Sequence, residues 1–375
     1  MNKEVSHKEL TLVWCSPHAT HYNSYLFDHL FALKNCSLKA VYFTKGLAKY
    51  PWKSSTENAY RIEYLVPFLG MDWSFVKQRI KAKQELTIVA GWNEPTMLFL
   101  LLYFSIIGRR FVLYSDTPDL RARSGLKQWL RKKVLKYVFN NTYKFLVTGI
   151  PGVKNAGMIG VPENRIVNFP FATNTDFFKP LQEFKENINS VSFISSGRLD
   201  NAHKAYDLAI EAFYLLKTKH PEYAFHYRIA GTGPDQEILH ALIREKKMNE
   251  EISLIGWLEP ADLVSFYQSG DVFLHPSHAD PFPNAVLEAM ACGLPIIGSD
   301  AAGSVLDRVV EGENGYIHQD HNMESVYEKL LLICEQTDEQ RKIMGVKSRE
   351  TAEKWQVSYN TGVIQNIVQD YLIKA

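Results

Sequence analysis

Two acids eight residues apart, Asp280 and Glu288, sit in HADPFPNAVLEAMACGLPIIGSD, the segment from His278 to Asp300. The preceding VFLHPS reads as a strand, the proline-rich stretch as a turn, and the residues from about Asn284 as a helix. A helix N-terminus presents unpaired N–H groups and roughly half a positive charge, which favours a phosphate. Asp280 falls in the turn and Glu288 just over one turn into the helix. Glu288 could accept two hydrogen bonds from a vicinal diol such as a ribose, and Asp280 could do the same for sugar hydroxyls. Without context, such a pair is more often a helix cap and a solvated helix residue. A second candidate lies in SSGRLDNAHKAYDLAIEAF, Ser195 to Phe213, where Arg198 and Lys204 flank a glycine turn. An arginine fork and a lysine point charge suit a diphosphate whose charge grows as a bond to it breaks. Two basic residues beside a turn are usually ordinary surface residues.

The scaffold that must hold these groups reads as parallel α/β structure, because short β-branched or aromatic runs alternate with helical patterns. In the first half these runs are Leu10–Ser16, Leu38–Thr44, Leu86–Gly91, Arg110–Ser115 and Lys144–Gly149. In the second half they are Val191–Gly197, Phe225–Gly231, Ile252–Trp257, Val272–Ser277 and Pro295–Asp300. Several end in Gly, Ser or Thr, where open parallel sheets place ligand loops. The segment Asn168–Ser190 has two prolines and no strong period, so the domain connection falls there. The expected domains are residues 1–175 and 185–354, two doubly wound bodies with a cleft between the carboxyl ends of their sheets. From Trp355 to Ala375, Val363, Ile364, Ile367, Val368, Tyr371 and Leu372 form one apolar stripe at helical spacing.

A chain of 375 residues accommodates two domains, and 46% hydrophobic with 22% charged residues is globular. Cys15, Cys36, Cys292 and Cys334 are scattered and read as reduced thiols of a cytoplasmic protein. The N-terminus has no signal-peptide core, and the greasy run Met97–Ile107 is too short to span a bilayer. Residues 1–180 carry 25 basic against 12 acidic side chains, and the remainder 17 against 29. A basic first half draws phosphate-bearing partners such as anionic lipid or a lipid-linked sugar. Within it, Leu126–Asn141 places Leu126, Leu130, Val134 and Val138 at helical spacing among Lys127, Arg131, Lys132, Lys133 and Lys136. The basic stretch 121–136 is therefore a candidate membrane patch, with a solvated helix face as the plain alternative. There is no Walker loop, no GxGxxG after the first strand and no His/Cys metal spacing, so no metal or cofactor is expected.

The His278–Asp300 segment resembles the E-x7-E donor signature of the family 4 (group 1) retaining glycosyltransferases, which have the GT-B fold. Its continuation Leu287–Gly303 follows the family wording almost completely, and Ser195–Phe213 resembles the family's GRLxxxKGxxxLIEAF. RIAGTGP around Gly231, ISLIGWLEP with Gly256 and Trp257, and Asp176–Pro180 as DxxxFxP add to the likeness. The resemblance covers roughly residues 165–320 and departs from pattern at Asp280, Pro283, Ala205 and Ser115.

It implies a GT-B protein of two Rossmann-like domains whose C-terminal helix, about 355–375, packs back on the first. The implied reaction moves a sugar, with retention and without metal, from a nucleotide-sugar to a glycan, lipid-linked or small-molecule acceptor. UDP-sugars are favoured over GDP-sugars, no nucleic acid is involved, and the protein works in the cytoplasm or on the inner membrane face. The implied roles put Arg198 and Lys204 on the diphosphate, and Asp280 and Asp116 at the transferred sugar. Donor contacts fall to Glu288, Phe282, Asn284, Ala285, Gly256, Trp257, Gly231, Thr20 and His21, and acceptor contacts to Trp92, Asn93 and Glu94. The alternatives are a GT-B sugar-nucleotide epimerase and a non-catalytic nucleotide-sugar-binding subunit. A dinucleotide oxidoreductase would need the missing glycine fingerprint.

Overall fold

The computed structural model describes residues 10–33, 36–44, 60–116, 118, 126–181 and 190–374, excluding the side chains of His21 and 126–128. The chain divides into two compact units, residues 1–172 with 357–375, and residues 173–356. The first contains β1 (Leu10–Ser16), β2 (Cys36–Tyr42), β3 (Arg61–Tyr64), β4 (Glu85–Ala90), β5 (Val112–Ser115), β6 (Lys144–Val147) and β7 (Ile166–Asn168). They form one parallel sheet in the order β3-β2-β1-β4-β5-β6-β7. The second contains β8 (Val191–Ser196), β9 (Phe225–Ala230), β10 (Ile252–Gly256), β11 (Val272–His275), β12 (Ile296–Ser299) and β13 (Gly315–His318). Its parallel order is β10-β9-β8-β11-β12-β13.

All ten strand runs of the sequence are strands, with ends that shift by at most two residues. The pattern missed β3, β7 and β13 because these edge strands are short and half-exposed, so they lack a continuous apolar run. In each sheet the order reverses between the first and fourth strands, β1/β4 and β8/β11. There the following crossovers depart to opposite faces and open a crevice at the carboxyl ends.

Two helices show how spacing becomes burial. Leu126–Asn141 forms as expected, but it buries Leu135, Val138 and Phe139 and leaves Leu130 exposed. A four-residue step overshoots a 3.6-residue turn by about 40°, so the row Leu130/Val134/Val138 spirals from solvent onto the core. The helix Val357–Ile373 buries Ile364, Ile367 and Val368 in the first unit, beside Leu10, Leu12 and Phe27. Its Tyr371 hydroxyl donates to the Glu85 carbonyl at 3.2 Å.

Glu85, at the start of β4, is itself nearly sealed. Its carboxylate lies 2.7 Å from the Arg79 guanidinium, with side chains 5% and 7% exposed. Removing one member of a buried pair strands the other charge. Arg79→Met should therefore cost about 3–5 kcal/mol in urea unfolding. Adding Glu85→Leu should restore most of that; no recovery in the double variant would show that Arg79 acts through packing.

Candidate functional site

The candidate residues of the second unit converge on the carboxyl ends of β8 and β11, at the switch point. Three turns interlock there through their backbones. Gly197 N donates to Ala230 O at 3.0 Å, Leu199 N to Thr232 O at 3.1 Å and Gly231 N to Gly256 O at 2.7 Å. Gly231 has φ +136°, and a Cβ on it would stand 1.8 Å from the Gly197 carbonyl oxygen. Only glycine tolerates that approach. The turn after β11 docks on the helix Asn201–Lys204, whose His203 carbonyl accepts from the Ser277 hydroxyl at 2.6 Å and His278 N at 2.9 Å. Lys204 and Asp280, 76 residues apart, are thereby joined as an ion pair.

Asp280 is the electrostatic centre. Burial alone would raise its carboxyl, but the neighbouring His275 imidazole and the charge of Lys204 bring it down to about 2. His275 Nε2 lies 3.5 Å from the same carboxylate oxygen, and its ring is buried. Burial holds the His275 imidazole below its ordinary value, with the Lys204 charge adding to that. The Asp280 backbone is also fixed: Gly303 N donates to its carbonyl at 3.0 Å. A Cβ on Gly303 would meet Pro281 O at 1.8 Å. The result is a fixed carboxylate with a cation already beside it.

Glu288 lies inside the helix Asn284–Ala291 and is only 4% exposed. Tyr267 OH donates to its Oε2 at 2.8 Å and lies 2.7 Å from Ser196 Oγ at the end of β8. It is an oriented acceptor, not a solvated helix residue. Pro283 occupies the N-cap and its carbonyl accepts from Ser304 Oγ at 3.0 Å. Among the described residues no side chain caps the helix, so the first N–H groups, on Asn284 and Ala285, have no side-chain acceptor there. Asn284 Oδ1 is buried without a hydrogen-bond partner among the described residues. The Phe282 side chain is buried, its ring beside Gly303 with the Arg308 guanidinium 5.6 Å from its centroid. Arg198 is exposed beside Gly197, with no ion pair among the described residues. Trp257 is 47% exposed beyond Gly256, its indole N–H 3.4 Å from Glu259.

In the first unit several expectations need correction. Trp92 is a core residue, 8% exposed and 5.1 Å from the Phe139 ring, so it offers no face to an acceptor. Glu94 caps the helix Pro95–Ile107, accepting from Met97 N at 2.8 Å and Thr96 Oγ1 at 2.9 Å. Both oxygens are engaged in holding a helix end. Thr20 likewise caps His21–Phe31, its hydroxyl accepting from Asn23 N at 3.1 Å. Asn93 is exposed and accepts from the Arg131 guanidinium. The His21 side chain and residues 121–125 lie outside the described residues. Asp116 stands just past β5; burial raises its carboxyl, opposed by hydrogen bonds with Tyr114 and Thr148.

Sequence reasoning passed over His275, although a lone polar residue at the end of the apolar strand that leads into the donor motif was a usable signal. Tyr267 and Ser196 gave none, being 71 residues apart. The structure also gathers His278, Asp320 and His321 after β11 and β13, where sequence spacing shows no metal cluster.

Residues 178–351 match the family model described as glycosyl transferases group 1. An uncharacterized glycosyltransferase of Haemophilus influenzae is 27% identical over 146 residues, 39% of this chain and 40% of that protein. The putative colanic acid biosynthesis glycosyltransferase WcaL of Escherichia coli is 26% identical over 213 residues, 55% of this chain and 50% of that protein. The match thus spans half or less of these curated relatives. The crystal structure of HepE from Anabaena in complex with UDP has a TM-score of 0.74 at 14% identity, covering 96% of this chain and 100% of that one. That likeness establishes the fold as GT-B, with two Rossmann-like parallel-sheet domains.

Asp280 makes the second unit acid-sensitive with a defined sign. Its folded value of about 2 is below the ordinary 3.8, so the ionised form stabilises the fold above about pH 4. That contribution, about 2 kcal/mol, is lost as pH falls through about 2. Urea-unfolding free energies measured between pH 5 and pH 2 should fall less steeply in Asp280→Asn (about that range follows from the shift). An identical slope in both proteins would assign the acid sensitivity to other carboxylates.

Proposed function

We propose, from the membership of residues 178–351 in the glycosyl transferases group 1 family, that this chain transfers a sugar from a nucleoside-diphosphate donor with retention of configuration. The observation that carries the reading is the joined Lys204–Asp280–His275 cluster beside Glu288 and the uncapped helix start at Asn284. In this reading the base lies against Trp257 and the ribose hydroxyls bind Glu288, whose orientation Tyr267 fixes. Lys204, Arg198 and the N–H groups at Asn284 and Ala285 hold the diphosphate. Asp280, kept ionised, accepts from hydroxyls of the transferred sugar.

Catalysis then rests on stabilising the leaving diphosphate. Its phosphate oxygen takes the acceptor hydroxyl's proton on the face from which the bond breaks, so the anomeric configuration is kept. A hydrolase-style double displacement needs a second carboxylate across the bond. Asp280 is unsuited to that role, since its charge is already shared with Lys204 and His275. UDP-sugars are the favoured donors, in keeping with UDP in HepE from Anabaena. The acceptor class is a glycan or lipid-linked saccharide, as fits the likeness to a colanic acid biosynthesis glycosyltransferase.

Membrane association is the second part of the proposal. Lys132, Lys133 and Lys136 are exposed on the helix Leu126–Asn141, with Trp129 and Leu130 each about half exposed beside them. Lys133 Nζ sits 4.1 Å from the Trp129 ring. Cations next to exposed aromatic and aliphatic groups suit an anionic lipid interface. No described helix is long and apolar enough to cross a membrane.

Two measurements test these readings. Release of nucleoside diphosphate from UDP-, GDP- and ADP-sugars, with candidate saccharide acceptors, should occur with one donor and drop about 100-fold or more in Lys204→Ala. Absence of any nucleotide binding would defeat the proposal, and interconversion of the donor sugar without transfer would favour the epimerase. Replacing Lys132, Lys133 and Lys136 by Glu should weaken binding to anionic vesicles about 100-fold or more, at about 1 kcal/mol per lost charge. Unchanged sedimentation with vesicles would remove the membrane role.

A further inference from the structure

We propose that His278, Asp320 and His321 form a transition-metal site of two imidazoles and one carboxylate, suited to Zn2+. His278 reaches in from the turn after β11, while Asp320 and His321 come from the loop after β13. One ligand atom from each lies within 4.8 Å of the others. The Asp320 carboxylate turns one oxygen toward a nitrogen of each ring. Its Oδ1 is 2.6 Å from His278 Nδ1, and its Oδ2 is 3.5 Å from His321 Nε2. The rings are nearly parallel, 13° apart, with centroids separated by 3.8 Å.

An ordinary His–Asp hydrogen bond explains His278 alone. It does not explain a second imidazole stacked on the first with its own nitrogen turned to the same carboxylate. Two ring nitrogens and a carboxylate oxygen within 4.8 Å of one another make a site for a cation with nitrogen and oxygen affinity. The backbone works to hold this arrangement. His321 adopts φ +54°, a left-handed conformation that costs a non-glycine residue on the order of 1–2 kcal/mol. Its N–H donates to Asp320 Oδ1 at 2.7 Å, and Asp320 N donates to Asp300 Oδ1 at 2.8 Å. On the other side, His278 N is fixed on the His203 carbonyl at 2.9 Å.

The donor set selects the ion. Two imidazoles and one carboxylate are a three-ligand set of the kind that holds Zn2+ with an open fourth position, whereas Mg2+ and Ca2+ prefer oxygen alone. The His321 side chain is 73% exposed, so a path for the ion and room for a water both exist. The site is separate from the diphosphate-binding reading, because Asp280 is committed to Lys204 and His275. A bound ion would nevertheless tie the turn that carries Asp280 to the loop after β13.

The test uses the whole chain, stripped with a chelator, dialysed and titrated with Zn2+ by calorimetry. Wild type should take up one ion per chain. His278→Ala, Asp320→Asn and His321→Ala should each weaken uptake at least about tenfold. His226→Ala, a surface histidine on β9, should leave it unchanged. His321 is exposed, so its variant should fold, and far-ultraviolet circular dichroism checks each variant. Co2+ in place of Zn2+ should give an absorption spectrum that His321→Ala loses. No uptake by folded wild type, or equal uptake by all three ligand variants, would overturn the proposal.

Discussion

An ionised carboxylate largely withdrawn from water is stabilised by a cation, and in the second unit Asp280 obtains one from a residue far away in the sequence. The pair with Lys204 is possible only because β8 and β11 are neighbours at the point where strand order reverses. The turn after β11 is then pressed onto the helix that ends in Lys204, through the His203 carbonyl. His275, at the end of β11, closes the buried side of the carboxylate. Each of these supports the others, because a displaced turn would leave a buried charge without its partner.

Backbone proximity is the second constraint. Gly231 and Gly303 stand where a methyl group would collide with a carbonyl oxygen, so the turns that flank Asp280 and Lys204 meet with main chain against main chain. Departures from the family pattern sit within this frame. Ala205 occupies the left-handed region, φ +53°, where the family usually has glycine, and its methyl group is buried. Pro283 gives up an N–H but supplies the N-cap, leaving the donors of Asn284 and Ala285 in place.

The first unit illustrates why polar residues after a strand are an ambiguous signal. Thr20 and Glu94 sit where a ligand loop begins, but a helix begins there as well, and its unpaired N–H groups claim their oxygens. Trp92 follows the same strand end and turns inward to stack edge-on against Phe139 and Phe145. Capping and packing draw on the same residue types as binding, so spacing alone does not separate them.

The sequence by itself determined the class of the fold, ten of its thirteen described strands, the helices Leu126–Asn141 and Asn284–Ala291, and the segments that resemble the donor motif. These are local consequences of periodicity, of turn residues and of motif order. Tertiary structure alone decided which side chains meet. Strand order brought Lys204 to Asp280 across 76 residues, Ser196 to Tyr267 across 71, and His278 to Asp320 across 42. The physical reason is that helical and strand periods fix only the face a residue occupies on its own element. Contact between elements depends on sheet order and on backbone approaches that no local pattern encodes.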